Sequence, residues 1–187
     1  MIGFPTAEIG VEAIRRLHAF GGVDIQRGLR DSEFAMITAR YGFEFAPDHR
    51  AFLVGGLPTG AGWPDWRSVD HRALRDQLAW PVEGMLFDVE HKGYWHPSWG
   101  ERPTDLPDAL AVAGAALVRA PQMVPLRGNR YLPAGADRAG HPVLAMFRTD
   151  VGTAGADLAD WVTQEFGDAP APDKTATATV EFWGSLL

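Results

Sequence analysis

Apolar residues recur at helical spacing from the start of the chain. Ile9, Ala13, Leu17 and Phe20, joined by Ile14, share one face, and Glu8, Glu12, Arg15 and Arg16 fill the other. This pattern predicts a helix over residues 7–20, with Thr6 as N-cap and Gly21-Gly22 as its stop. A second helix starts at an Asp31-Ser32 cap, carries Phe34, Ile37 and Tyr41 at i, i+3 and i+7, and closes at Gly42. A third opens on Pro47, holds Phe52, Leu53 and Val54, and ends at Gly55-Gly56. Residues 55–66 are too rich in Gly and Pro for regular structure and are expected to form a long loop. A fourth helix, capped by Asp70, buries Leu74 and Leu78. It is expected to stop before Trp80-Pro81, because the residue before a proline is pushed out of the helical region.

Strand-like runs cluster in the second half. Residues 84–89 (GMLFDV) read as the first strand, with 93–95 as its hairpin partner. An Ala-rich helix over 104–120, capped by Thr104 or Asp105, ends at Pro121. Strands at 122–126 and 130–132 flank an Arg127-Gly128-Asn129 turn; a strand at 142–148 and an amphipathic helix at 156–166, closed by Gly167, follow. Because helices and strands do not alternate regularly, the expected class is α+β, a twisted, mostly antiparallel or mixed sheet with helices against it. Residues 1–167 are expected to form one domain, 168–175 a Pro-rich linker, and 176–187 a strand with an apolar hook.

Composition narrows the function. A net charge of −7 repels phosphate backbones, so nucleic acid is not an expected partner. The chain has no cysteine, which excludes disulfides, thiolate nucleophiles and Cys-based metal sites. The apolar run at 109–118 is too short to span a bilayer, and the first ten residues lack a signal-peptide pattern, so a cytoplasmic protein without membrane contact is expected.

No catalytic set stands out. Ser32, Ser68, Ser98 and Ser185 lie outside any nucleophile elbow. Gly55 and Gly60 have the outer spacing of a phosphate-binding loop, but Ala61-Gly62 replaces its Lys-Ser/Thr. Asp88, Glu90, His91 and His96 fall within nine positions, and on a strand Asp88 and Glu90 would share a face; a metal-assisted hydrolase is therefore one alternative. Five of the seven Trp fall between positions 63 and 99. Trp63, Trp66, Trp95 and Trp99 could wall a pocket for a small ligand or glycan, a second alternative; core packing explains them equally well.

Residues 31–53 (DSEFAMITARYGFEFAPDHRAFL) resemble the N-terminal signature of the SUKH superfamily: a helix ending at Tyr41-Gly42, the extended Phe43-Glu44-Phe45, then Pro47-Asp48 opening a helix with Ala51-Phe52-Leu53. Leu57-Pro58, Gly62-Trp63-Pro64-Asp65-Trp66, residues 80–90, Trp99-Gly100-Glu101-Arg102-Pro103, Ala120-Pro121, Pro125-Leu126, residues 128–133, Thr149-Asp150 and Phe182-Trp183 continue the likeness to a bacterial branch. Thr38, Ala46 and Gly55-Gly56-Leu57 depart from the pattern, where the family often has an acid, a proline and Asn-Gly. The resemblance implies a single α+β domain with a groove for proteins, no enzymatic residues and no cofactor. Bacterial members are commonly immunity proteins that neutralise toxins, and fungal relatives act in cell-wall regulation. The favoured expectation is a non-catalytic domain that binds a protein, in particular a basic toxin domain. The candidate binding residues are Trp63, Asp65, Trp66, Asp88, Glu90, Trp95, Trp99, Arg102, Arg130 and Asp150, each of which could equally be scaffolding.

Overall fold

A computed structural model describes residues 6–168, 175–176 and 179–187. The fold is α+β. Helices α1 (Thr6–Phe20), α2 (Asp31–Tyr41) and α3 (Pro47–Gly55) follow the apolar periodicity. The cap of α2 is Arg30 rather than Asp31, because the Glu33 side chain turns back to accept the Arg30 amide at 2.8 Å. Two strands that the sequence pattern does not announce join these helices. β1 (Asp24–Gln26) pairs antiparallel with β2 (Leu57–Thr59), setting Asp24 opposite Thr59. The expected loop at 55–66 thus begins with a strand, and its Pro58 is tolerated because the sheet has only two strands.

The largest correction concerns α4 (Arg72–His91), a single helix of 20 residues that runs through Pro81 and absorbs the expected strand at 84–89. Leu74, Pro81, Met85 and Val89 are buried, with half-buried Leu78 between them, so the helical spacing extends over the whole segment. Proline removes the amide that would bond the carbonyl four residues earlier, here that of Gln77. The buried Tyr131 hydroxyl donates to that carbonyl at 2.9 Å and replaces the lost bond. Burial pushes the Tyr131 hydroxyl up to about 12, so it remains a donor throughout the ordinary pH range. Tyr131→Phe is expected to cost about 1–2 kcal/mol by leaving the carbonyl unsatisfied, measurable as a lower urea midpoint. Residues 93–95 form a loop rather than a strand, in which the Trp95 indole donates to the Gly100 carbonyl at 2.7 Å.

α5 (Leu106–Arg119) starts after Asp105 and packs along α4. A four-stranded antiparallel sheet follows in the order β3 (Met123–Arg127), β4 (Arg130–Pro133), β5 (Val143–Phe147) and β6 (Asp150–Gly155). β6 escapes a sequence reading because its six residues DVGTAG carry two glycines and little apolar alternation. Successive residues of the sheet serve two cores. Val124, Leu126, Leu132 and Val143 join α1, α2, α3 and α6 (Leu158–Phe166) on one side. Met123, Tyr131, Leu144 and Met146 join Met85, Leu117 and the C-terminal tail on the other. Burial on both faces explains the nearly continuous apolar runs of β3 to β5. Asp157 caps α6 by accepting the Asp160 amide at 2.8 Å, while the Asp160 carboxylate accepts the Ala156 amide at 2.7 Å.

The expected linker falls largely outside the described residues, which omit 169–174. Among the described residues of 176–187 there is no strand; the apolar hook is a 3₁₀ turn, Trp183–Leu186. The hook docks on its own chain: Trp183 is buried, its indole donates to the Pro121 carbonyl at 2.8 Å, and Phe182 stacks on Trp99 with centroids 6.0 Å apart.

Candidate functional site

The ten candidate residues do not converge on one groove. Trp66 is buried edge-on against Phe43 and Phe45, and half-buried Trp63 stacks between Phe52 and Phe166 under the Arg127 guanidinium. Exposed Asp65 accepts the Arg67 amide at 3.1 Å and shapes the turn. Trp95 and Trp99 pack edge-to-face with centroids 5.2 Å apart. Arg102 lies over Trp95 and donates to the Val89 carbonyl at 3.0 Å, tying the loop to the end of α4. Arg130 contacts the Asn129 side chain and approaches Glu165 at 3.6 Å. Trp63 and Trp66 belong to the first core and Trp99 to the second, with Trp95 packed on Trp99, so the four tryptophans do not wall one pocket.

Asp88 is buried and holds the β5–β6 turn against α4. Its Oδ2 accepts from the Thr149 hydroxyl at 2.7 Å, while its Oδ1 lies 3.1 Å from Lys92 Nζ and 3.9 Å from Arg148. Burial raises this carboxyl, but the hydrogen bonds from Thr149 and Lys92 more than offset it, so the group sits below the usual carboxylate range. Arg148 occupies φ 59°, which is strained for a residue with a side chain. Its guanidinium lies 4.0 Å from the Phe87 ring centroid and 5.4 Å from that of Phe147. A Cβ on Gly84 would stand 3.0 Å from the Arg148 Cα, so a side chain there would have to push the turn a few tenths of an ångström off the helix.

Above this clamp, α4 presents an outward ridge. Trp80 and Phe87 are seven residues apart, as are Asp76, Glu83 and Glu90, so aromatic and acidic side chains alternate along one helical face. Trp80 is 46% exposed, Phe87 38% and the adjoining Phe147 52%; Asp76, Glu83, Glu90 and Asp150 are exposed around them. A hollow of about 270 Å³ beside Trp80, lined by Asp76, Gln77, Gly128, Asn129 and Tyr131, is almost wholly apolar. Glu90 and Asp150 are the candidate residues exposed here, and Asp88 anchors the surface from beneath. Trp80, Phe87, Phe147 and Arg148 were not among the candidates. The seven-residue spacing of Trp80 and Phe87 is the available signal, and it is hidden where Pro81 is read as ending the helix.

The metal alternative loses its geometric premise with the strand. On a helix Asp88 points inward while Glu90 and His91 are exposed, and His96 is engaged by the hydroxyls of Ser98 at 2.7 Å and Ser185 at 3.1 Å. Among the described residues no three His, Asp or Glu side chains converge to hold an ion. No helix among the described residues is long and apolar enough to cross a membrane. Compared with models of protein families, with curated proteins and with solved structures, the chain matches none of them.

Proposed function

We propose that this chain is a non-catalytic domain that binds the basic face of a partner protein, and that it acts as a toxin-neutralising immunity protein of the SUKH type. The carrying observation is the α4 ridge, where Trp80, Phe87 and Phe147 stand exposed among Asp76, Glu83, Glu90 and Asp150. Exposed aromatics supply the apolar contact area typical of binding hot spots. The acidic residues between them disfavour burial against an acidic or neutral surface and attract a basic one, accelerating encounter at low salt. Charged groups that bind within the chain point the same way. Asp88, Arg102, Arg130 and Glu165 are spent on internal ion pairs and hydrogen bonds, leaving shape and surface charge as the working tools. The SUKH-like residues at 31–53 and onward support the immunity role through resemblance.

Co-expression with each protein encoded by the genes flanking its own tests the proposal. The expected result is protection from one of those proteins together with a stable complex whose association slows as salt is raised. Absence of both protection and complex across the flanking genes overturns the toxin-neutralising role.

A further inference from the structure

The hollow beside Trp80, about 270 Å³, is smaller than the roughly 300–1,000 Å³ of pockets that enclose whole small ligands, so its size suits a single side chain of a partner. Its walls are the Trp80 ring, Tyr131 and the Gly128-Asn129 turn between β3 and β4. Two polar groups of these walls are already engaged within the chain. The Tyr131 hydroxyl donates to the Gln77 carbonyl at 2.9 Å, and the Asn129 side-chain oxygen accepts from Arg130. Trp80 differs: it is 46% exposed, and among the described residues no ring or guanidinium packs on it. Asp76 lines the hollow at i−4 from Trp80, and Glu83 lies at i+3, so a carboxylate borders the ring on each side along the helix. Both acids are exposed, and among the described residues neither enters an ion pair or a side-chain hydrogen bond. Arg72 and Arg75, the nearest bases in sequence, form no ion pair with Asp76.

We propose that this hollow takes an arginine side chain of the basic partner, its guanidinium lying on the Trp80 ring and its N–H groups reaching the Asp76 and Glu83 carboxylates. The inference rests on the reading of the α4 ridge as the partner-binding face, and names the group that face anchors. An arginine answers the three features together: its apolar stem covers the apolar wall, its flat cation stacks on the open aromatic face, and its fork of donors pairs with the acids at the rim. Lysine fits less well, because its compact ammonium is strongly hydrated, gives up that water against apolar walls and does not stack. An aliphatic or aromatic side chain fills the hollow but leaves Asp76 partly desolvated and unpaired beneath the partner, which weakens the complex.

The probe is Nα-acetyl-arginine N-methylamide, titrated into the free ¹⁵N-labelled full chain at pH 7 and low salt and followed by NMR, with the lysine, citrulline and norleucine counterparts for comparison. Saturable shifts are expected at the Trp80 indole N–H and at the amides of Asp76, Gln77, Gly128 and Asn129, with each counterpart weaker by about fivefold or more. Asp76→Asn is expected to weaken the arginine compound by about fivefold and Trp80→Ala to abolish the saturable shifts, while Val118→Ser on α5 leaves them unchanged. Shifts that do not saturate, a lysine, citrulline or norleucine counterpart that binds as tightly as arginine, or unaltered affinity in Asp76→Asn would each overturn the proposal. Because the chain is titrated without its partner, each of those results strikes the arginine anchor alone, whereas absence of protection and complex in the co-expression experiment strikes the reading of the ridge.

Discussion

Between pH 7 and pH 4 the protein is expected to lose about 3 kcal/mol of folding stability through His49 alone. His49 lies on α3, is buried edge-on to Phe45 with ring centroids 5.0 Å apart, and neither ring nitrogen has a hydrogen-bond partner. Burial lowers its pKa from 6.5 to about 3. The unfolded chain therefore takes up a proton below pH 6.5 that the folded chain refuses until about pH 3. Stability from this group is full above pH 6.5 and drains away as the pH falls through that window. His141, half-buried and also lowered by desolvation, adds in the same direction. Asp48 acts oppositely, because burial raises its carboxyl despite the amides of Gly140 and His49 donating to it. A difference measurement isolates His49. In urea titrations across pH 7 to 4, His49→Leu is expected to flatten the acid loss by about 3 kcal/mol relative to wild type. At pH 7 the variant is expected to be no less stable, since it removes two unpartnered nitrogens from an apolar site. An unchanged pH slope would show that the imidazole is solvated.

Gly10→Ala is expected to cost about 3 kcal/mol or more and to lower the melting temperature by roughly 10 °C. A Cβ at position 10 would fall 1.9 Å from the Asp48 carbonyl oxygen and 2.8 Å from the Phe52 nitrogen, both in the backbone of α3. Neither atom can swing aside as a side-chain end could, so the methyl must push α1 off α3 and open the first core. Gly114 on α5 is the contrast: a Cβ there meets nothing within 4 Å. Gly114→Ala is expected to raise stability by about 0.5–1 kcal/mol through helix propensity alone. Calorimetry of the pair separates close helix packing from the intrinsic cost of glycine, and a Gly10→Ala protein as stable as wild type would contradict the α1–α3 contact.

Sequence patterning was sufficient where one segment carries its own period. The Ile9–Leu17 face of α1, the Phe34–Ile37–Tyr41 spacing of α2 and the Pro47 start of α3 are local signals, and the α+β class follows from them together with β3 to β5. It failed where a distant residue decides. Pro81 marks a helix end by local rules, yet the helix continues because Tyr131, fifty positions away, supplies the missing hydrogen bond. That single compensation reassigns residues 84–89 from strand to helix, turns Asp88 inward and separates it from Glu90. β1, β2 and β6 are short or glycine-bearing, so only their pairing defines them. The candidate site was legible in part: Glu90 and Asp150 lie on the exposed ridge, whereas Trp63 and Trp66 pack into a core through contacts that spacing along the chain cannot specify.

The most direct test of the binding account is the dissociation constant of the purified partner complex at low salt, compared between wild type and the Trp80→Ala/Phe147→Ser double variant. Both side chains are exposed, so the fold is retained, and Val118→Ser on α5 serves as an exposed control. Loss of two hot-spot aromatics is expected to weaken the complex by about 100-fold, with the control within about twofold of wild type. Affinity that survives the double variant unchanged would contradict the assignment of this face to partner binding.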